Sequence, residues 1–329
     1  MIPAPDPEAD RLSVRRAVPD GLRDVVGVVL SQDEEALTLL PEAGGPVRIP
    51  RAHITASRVA PPRAVRPSSS PADLHRVMAG HLPAPERMRL GGWLLQAAHG
   101  WSWEANAALV VGDPGTDPRI ALASVEDFYR RRGLTPRVQV PLRAASADSH
   151  RARPDGDASA LVPLLDELGW TSLASTNVLV ADLRASRSGG EPRSEATASA
   201  ETVIGWAREP DADWYSLWLA GRAPAAAREE IRTGPAYYLT LRQAAAPVAI
   251  GRLALSRGWA GLSQISVTPR LRRRGLGRQA SAQMLAQAAS LGARFAVVQV
   301  PETDSAALGL GAAAGFTLHH QVHYRCLAR

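Results

Sequence analysis

The 329-residue chain contains no lysine: all 38 residues counted as Lys+Arg are arginines. That excludes a P-loop lysine and any lysine Schiff base with a carbonyl substrate. A single cysteine, Cys326, leaves no intrachain disulfide and no cysteine-based zinc site, and it fits a reducing cytoplasm, the expected location. No run of about 18 apolar residues occurs, so no membrane span is expected. The first 16 residues have no apolar h-region, so no standard secretion signal is expected either.

What is present is ordinary in amount and uneven in placement. At 45% hydrophobic and 21% charged residues the composition is that of a globular protein, and the length suits two or three modules. The net charge of +6 is concentrated late. From Gly205 onward there are 15 Arg against 7 acids, and before it 23 against 25. An anionic ligand is therefore expected near the C-terminus.

Two stretches rich in Pro, Ser, Gly and Ala, 61–71 and 185–200, have no apolar period and read as linkers. A third, 144–160, reads as a loop. Before the first linker, β-like runs at 25–30, 36–40, 47–49 and 54–59 recur roughly every ten residues, as in a small all-β barrel. Such a barrel reads as a docking or stabilising module, open to a protein partner. The middle stretch alternates strand-like and helical segments: strands at 89–96, 107–111, 138–140 and 177–183, helices at 118–132 and 161–168. The last stretch reads as two helices (214–219, 225–232), three strands (236–242, 248–255, 259–267), helix 278–291, strand 295–300, helix 305–314 and one or two closing strands within 316–327. The fold class expected is α/β or α+β.

The motif that carries chemistry is Ile265-Ser-Val-Thr-Pro-Arg270-Leu-Arg-Arg-Arg-Gly275-Leu-Gly277-Arg278. A strand ends, an arginine-rich loop with two glycines follows, and a helix begins. Helix N-terminal amides are unpaired and the helix dipole makes that end positive. Glycines let successive amides converge on one anion, and Arg270, Arg272, Arg273, Arg274 and Arg278 add guanidinium donors. One helix terminus contributes about 0.3–1 kcal/mol and each charge-assisted hydrogen bond about 1.5–3, so a multiply charged phosphate group is the fitting ligand. Gly275-Leu-Gly277-Arg-Gln-Ala280 also matches a dinucleotide fingerprint, G-x-G-x-x-A. That reading fails on element order, and no Asp or Glu lies between Ala236 and Val300 to bind a ribose hydroxyl.

With Arg272-x-x-Gly275-x-Gly277 and the βββ-α-β-α-β order, residues 204–327 resemble the GNAT N-acetyltransferase superfamily. The resemblance implies acetyl-CoA as co-substrate, no metal, and an amine acceptor. It implies that Ile265, Ser266 and Val267 meet the pantetheine arm and thioester, with the Val267 amide facing the oxyanion. Arg272, Arg273, Arg274, Gly275, Leu276, Gly277 and Arg278 would hold the pyrophosphate. The family's following segment, N-x-x-A-x-x-L-Y-x-x-x-G-F, is matched by Ala307, Leu310, Gly315 and Phe316, with Asp304 in place of Asn and Gly311 in place of Tyr. The whole chain is similar to bacterial members with an SH3-like barrel (here 10–62), a degenerate GNAT-like half (72–184) and a catalytic half (201–329). Arg89-Leu-Gly-Gly-Trp-Leu-Leu95, Phe128-Tyr129, Gly133-Leu134 and His323-Tyr-Arg325 carry that match, and the middle half has no R-x-x-G-x-G.

Gly311 removes the family's usual acid for the leaving thiolate, leaving Tyr324 or water. Strand 259–267 has no ionisable side chain, so the base must come from elsewhere. Glu302, Asp304, His319, His320, His323 and Glu104 are the candidates, with Glu302 and Asp304 equally suited to the N-terminus of the next helix. On a regular strand His319 and His323 share one face, His320 and Tyr324 the other. Trp101 and Trp103 would share a strand face and form a core or inter-module contact rather than a substrate cage, and Trp214 and Trp218 on one helix would be core, with an acceptor-lining role left open by the resemblance. Two other functions compete: a non-catalytic acyl-CoA sensor, and a nucleic-acid adaptor. The arginine run lacks interleaved aromatics, which places the adaptor last.

Overall fold

The computed structural model describes residues 11–41, 45–60, 64–143, 158–184 and 202–328. Residues 61–63, 144–157 and 185–200 of the three Pro/Ser/Gly-rich stretches lie outside the described residues. Strands β1 (Arg11–Val18), β2 (Gly21–Gln32), β3 (Ala36–Pro41), β4 (Val47–Pro50) and β5 (Ile54–Val59) form one antiparallel sheet in the order β4-β3-β2-β1-β5. Val14, Val29, Leu37, Leu39 and Ile49 are its core. β1 goes unread in the sequence because its alternation is interrupted by Arg15-Arg16, and it lies at the centre of the ladder between β2 and β5.

All other strands belong to a single eleven-stranded sheet. Helix α1 (Pro71–Met78) comes first, starting at the last residue of the 61–71 stretch; the Ser70 hydroxyl caps it by accepting from the Asp73 amide, and Pro71 starts its first turn. The predicted strand 89–96 is a hairpin, β6 (Glu86–Leu90) and β7 (Trp93–Ala97), turning at Gly91-Gly92. Next come β8 (Ala108–Leu109), α2 (Pro118–Arg130), β9 (Arg137–Arg143), α3 (Val162–Glu167) and β10 (Thr171–Asp182). The second half runs β11 (Thr202–Ala207), α4 (Ala212–Leu217), α5 (Ala225–Ile231), β12 (Ala236–Gln243), β13 (Ala246–Ser256), β14 (Trp259–Val267), α6 (Leu276–Ser290), β15 (Phe295–Pro301), α7 (Ser305–Ala313) and β16 (Thr317–Cys326).

Each half contains one parallel strand pair joined through a helix. β8 and β9 are parallel across α2, as β14 and β15 are across α6. The terminal strands then change places. β10, from the first half, lies between β15 and β16, and β16 lies between β10 and β9, all antiparallel. This explains why a single closing strand follows α7. Side-chain alternation along β10 sends Leu179 and Ala181 to Ala280, Met284 and Ala288 of α6, and Val178 and Val180 to Leu74 and Val77 of α1. The sheet centre is therefore buried on both faces.

Three polar anchors join the halves. The Arg252 guanidinium, 2% exposed, donates to the carbonyls of Ile231, Thr233 and His81. Buried Glu230 accepts from the amides of Trp101 and Ser102 and from the Asn106 side chain. The Trp259 indole donates to the Val65 carbonyl at 2.9 Å.

Candidate functional site

β14 and β15 pair only from Trp259 and Phe295 to Leu262 and Val298. Beyond that point β14 keeps β13 on one side, while β15 keeps β10 on the other. The two strands fork, and the open edges from Ser263 to Val267 and from Gln299 onward face each other. The cause is local. Gln264 adopts φ 56°, and the register against β13 slips between Ile250 and Arg252, so β14 carries a bulge where the fork begins. The Gln264 amide oxygen accepts from the Trp218 indole at 2.8 Å, and the Trp214 indole donates to the Gly251 carbonyl across the same bulge. Trp214 and Trp218 are core, as expected, and they also hold the bulge in place.

Past Val267 the chain makes a single 3-10 turn, Pro269–Leu271, then enters α6 through Gly275 in the left-handed region at φ 82°. Among the described residues, the amides of Arg273, Arg274, Gly275, Leu276, Gly277 and Arg278 meet no acceptor; the first amide to do so is that of Gln279, bonded to the Gly275 carbonyl. Arg270, Arg272, Arg273, Arg274 and Arg278 are exposed, and no described carboxylate pairs with any of them. Only the Arg272 Nε has a contact, 3.4 Å from the Val267 carbonyl. Leu276 is buried and anchors the first turn in the core, so only its amide faces outward. The corresponding helix of the first half, α2, begins differently: the Asp117 carboxylate caps it by accepting from the Arg119 amide. That end is already occupied by negative charge.

The candidate acid and bases fall in different places. Asp304 caps α7, its carboxylate accepting from the Ala307 amide at 2.9 Å, which is the helix-terminal role. Glu302 is exposed just past β15, beside His323. Tyr324 is fully buried; its hydroxyl accepts from the Gln299 amide at 2.8 Å and meets the fork through that residue. Burial, with the Glu104 charge adding, holds the Tyr324 hydroxyl well above the ordinary tyrosine range. His319 does not point away from His320 as strand alternation implies. Against β10 the register slips between Val178 and Leu179, and this bulge brings the two rings together, Nδ1 to Nδ1 at 2.7 Å. Gly311 has a packing reason: a Cβ there would stand 2.9 Å from Leu179 Cδ1 of β10.

Trp101 and Trp103 lie on no strand. They sit in a connecting segment before the 3-10 turn Glu104–Asn106, fastened by Glu230 and by Asn106, whose side-chain oxygen accepts from the amides of Ala98 and Gly100. Trp101 packs edge-on against Trp218 and Trp103 against Tyr324, so they are contacts between the halves. Glu230, Gln264 and Gln299 were missed in the sequence. The signal available was, for Gln299, a lone amide side chain in an otherwise apolar strand and, for Gln264, the one amide side chain of its strand. Among the described residues no group of three or more His, Cys, Asp or Glu is placed to hold a metal ion. No described helix is long and apolar enough to cross a membrane.

Comparison with known proteins agrees with this geometry. The chain is 28% identical over 320 residues to the probable histone acetyltransferase Rv0428c of Mycobacterium tuberculosis, covering 95% of this chain and 93% of that one. Among solved structures, a GCN5-related N-acetyltransferase from Kribbella flavida superposes with a TM-score of 0.56 at 17% identity, over 78% of this chain and 94% of that one. A tandem GNAT protein from the clavulanic acid biosynthesis pathway, without AcCoA, gives 0.52 at 16%, over 82% and 89%. These two likenesses show the fold. The family model for the probable histone acetyltransferase Rv0428c C-terminal region matches residues 72–325. On that match, which spans more than half of it, the chain belongs to the family of the probable histone acetyltransferase Rv0428c C-terminal region.

Proposed function

We propose that the protein transfers the acetyl group of acetyl-CoA to a primary amine by direct attack in a ternary complex. The observation that carries this reading is the run of six unbonded amides, Arg273 to Arg278, beside five arginines without carboxylate partners. Several donors acting together suit a pyrophosphate, where one or two would not. Bound acetyl-CoA supplies the activated thioester. Ile265, Ser266 and Val267, on the open edge of β14, are placed to receive the arm between thioester and nucleotide. A backbone amide at Val267 would stabilise the oxyanion without any side chain. Asp304, already engaged as a cap, drops out of the coenzyme-binding set.

The remaining assignments extend the same reading. The N-terminal five-stranded sheet is taken as an SH3-like module that docks a protein partner. Residues 72–184 form a degenerate GNAT-like half without a coenzyme site, a view supported by Asp117 at the start of α2. The acceptor class includes lysine side chains of proteins, in line with the name of the mycobacterial relative, and the working location is the cytoplasm.

A second reading, a non-catalytic acyl-CoA sensor, is favoured by Gly311 and by a β14 that carries no ionisable side chain. Incubation with acetyl-CoA and a panel of amines, following release of coenzyme A, separates the two. Thiol release that depends on an amine is expected. Coenzyme A binding without turnover of any amine gives the sensor, and failure of coenzyme A to raise the melting temperature overturns both.

A further inference from the structure

The fork has two lips, and one short segment of the first half touches the supports of both. On the β14 side, Trp101 packs at 5.1 Å between ring centroids against Trp218, whose indole holds Gln264 at the bulge. On the β15 side, Trp103 packs at 5.5 Å against Tyr324, whose hydroxyl holds Gln299, the first residue of β15 beyond the paired stretch. Glu104 follows Trp103 immediately. Its backbone is tied down: the Gln96 amide donates to the Glu104 carbonyl, the Ser102 hydroxyl accepts from the Ala105 amide, and Glu230 clamps Trp101, Ser102 and Asn106. Glu104 is thus carried on a fixed turn between the supports of the two lips, near enough for its charge to act on the Tyr324 hydroxyl.

We infer that Glu104, supplied by the half that lacks the arginine loop, is the general base that takes the proton from the acceptor amine. This rests on the acetyl-transfer reading above. Asp304, His319 and His320 are engaged in hydrogen bonds of their own, and Glu302 and His323 stand beside each other. Glu230 lies in the same region, but three donors occupy its carboxylate and it serves as a positioning residue.

The environment of Glu104 suits the task. Its side chain is exposed to solvent, within reach of an incoming amine. Desolvation chiefly, and the nearby Glu230 charge in addition, raise its proton affinity above the ordinary carboxylate value, while its own backbone amide offsets part of this. A carboxylate shifted upward accepts a proton from an ammonium group more readily. In the reaction, one proton passes from the ammonium nitrogen to a Glu104 oxygen, and the freed lone pair forms the C–N bond to the acetyl carbon. The C–S bond breaks as that nitrogen's next proton is lost to the departing sulfur, giving amide and thiol, and Glu104 returns its proton to water.

The test compares full-length wild type with Glu104→Gln, using two amines, a lysine amide that is protonated at neutral pH and hydroxylamine that is not. Turnover of the lysine amide is expected to fall about 10²–10⁴-fold and its acid limb in the pH profile to disappear. Hydroxylamine is expected to lose markedly less. Stabilisation by coenzyme A is expected to match wild type. Wild-type turnover of the lysine amide by Glu104→Gln, or equal losses for both amines, overturns the inference. A measurement without any acceptor stands beside it: the Glu104 side-chain carboxyl resonance in glutamate-labelled protein, assigned by its absence in Glu104→Gln. Its titration midpoint is expected above the ordinary range and to move when acetyl-CoA is added. A resonance indifferent to acetyl-CoA overturns the placement of Glu104 while leaving acetyl transfer intact. If wild type binds coenzyme A and acetylates neither amine, acetyl transfer itself fails and this inference falls with it.

Discussion

The Nε2 atoms of His75 and His320 lie 2.8 Å apart in a buried contact between α1 and β16, residues 245 positions apart in the chain. The polarity of the contact follows from its far end. The Ser69 carbonyl can only accept, so His319 Nε2 donates to it. Where His319 carries its proton on Nε2 alone, its Nδ1 accepts from His320 Nδ1, and His320 Nε2 accepts from His75 Nε2. Burial holds His75 and His320 neutral. Desolvation first, and the His319 charge next, push His75 from 6.5 down to about 3. Burial, then His75 and His319, push His320 down further still.

This gives stability a definite pH dependence. Above about pH 6.5 neither the folded nor the unfolded chain protonates these rings, and their neutral packing contributes in full. From about pH 6.5 down to about 3 the unfolded chain binds protons that the folded chain refuses, so stability falls as pH falls. Urea midpoints at about pH 7.5 and about pH 5 are expected to differ in wild type, and to differ less in a His75→Leu/His320→Leu variant.

Gly277→Glu is expected to abolish stabilisation by coenzyme A without unfolding the protein. A Cβ at this position would make ordinary contacts, 3.6 Å to Leu310 and 3.7 Å to Val267, so the fold accommodates it. Its carboxylate would oppose a phosphate ligand at the positive end of α6. A melting temperature that still rises with coenzyme A, as in wild type, would falsify the placement of the pyrophosphate.

Arg252→Leu is expected to cost about 3–5 kcal/mol in denaturant unfolding. The guanidinium is buried without a carboxylate partner and is held by carbonyls at and just past the end of α5 and by the His81 carbonyl after α1. Helix C-terminal carbonyls carry the negative end of the dipole, which is why a lone buried cation is tolerated here. Removing it takes the side-chain donor from the His81 and Thr233 carbonyls at the seam between the halves, while the Ile231 carbonyl keeps the Tyr238 hydroxyl. A change within 1 kcal/mol, as about the scale of a surface substitution, would contradict this role.

Gly311→Tyr installs the residue usual at this place in the GNAT proteins that the sequence resembles, and it is expected to destabilise the fold by about 1–3 kcal/mol without raising turnover. Leu179, on the strand that the first half inserts beside β15, occupies the space. Thermal unfolding and coenzyme A release together read the outcome; increased turnover with an unchanged melting temperature would contradict the steric account.

The arginine loop was legible because it is contiguous: strand, glycines and helix start follow one another within 14 residues, and local backbone physics assigns each a part. Helices α2, α6 and α7 were legible from period and caps. β1 and β11 were not, because their inward positions are few and their other residues are polar or exposed. Helix α1 was hidden by the prolines and serines before it, although Ser70-Pro71 with Asp73 is a capping signal. The exchange of β10 and β16 could not be read, since register between distant strands leaves no local mark. The histidine contacts and the position of Glu104 depend on that exchange, so they appear only once the chain is folded.

The exchange also decides what a fragment can do. A piece beginning near residue 202 would contain the arginine loop, both lips of the fork and α7. It would nonetheless leave β15 and β16 with facing edges and nothing to fill the gap of one strand's width. Such edges recruit foreign strands, so this piece is prone to self-association when made alone. The amino-terminal half therefore supplies the strand that closes its neighbour's sheet.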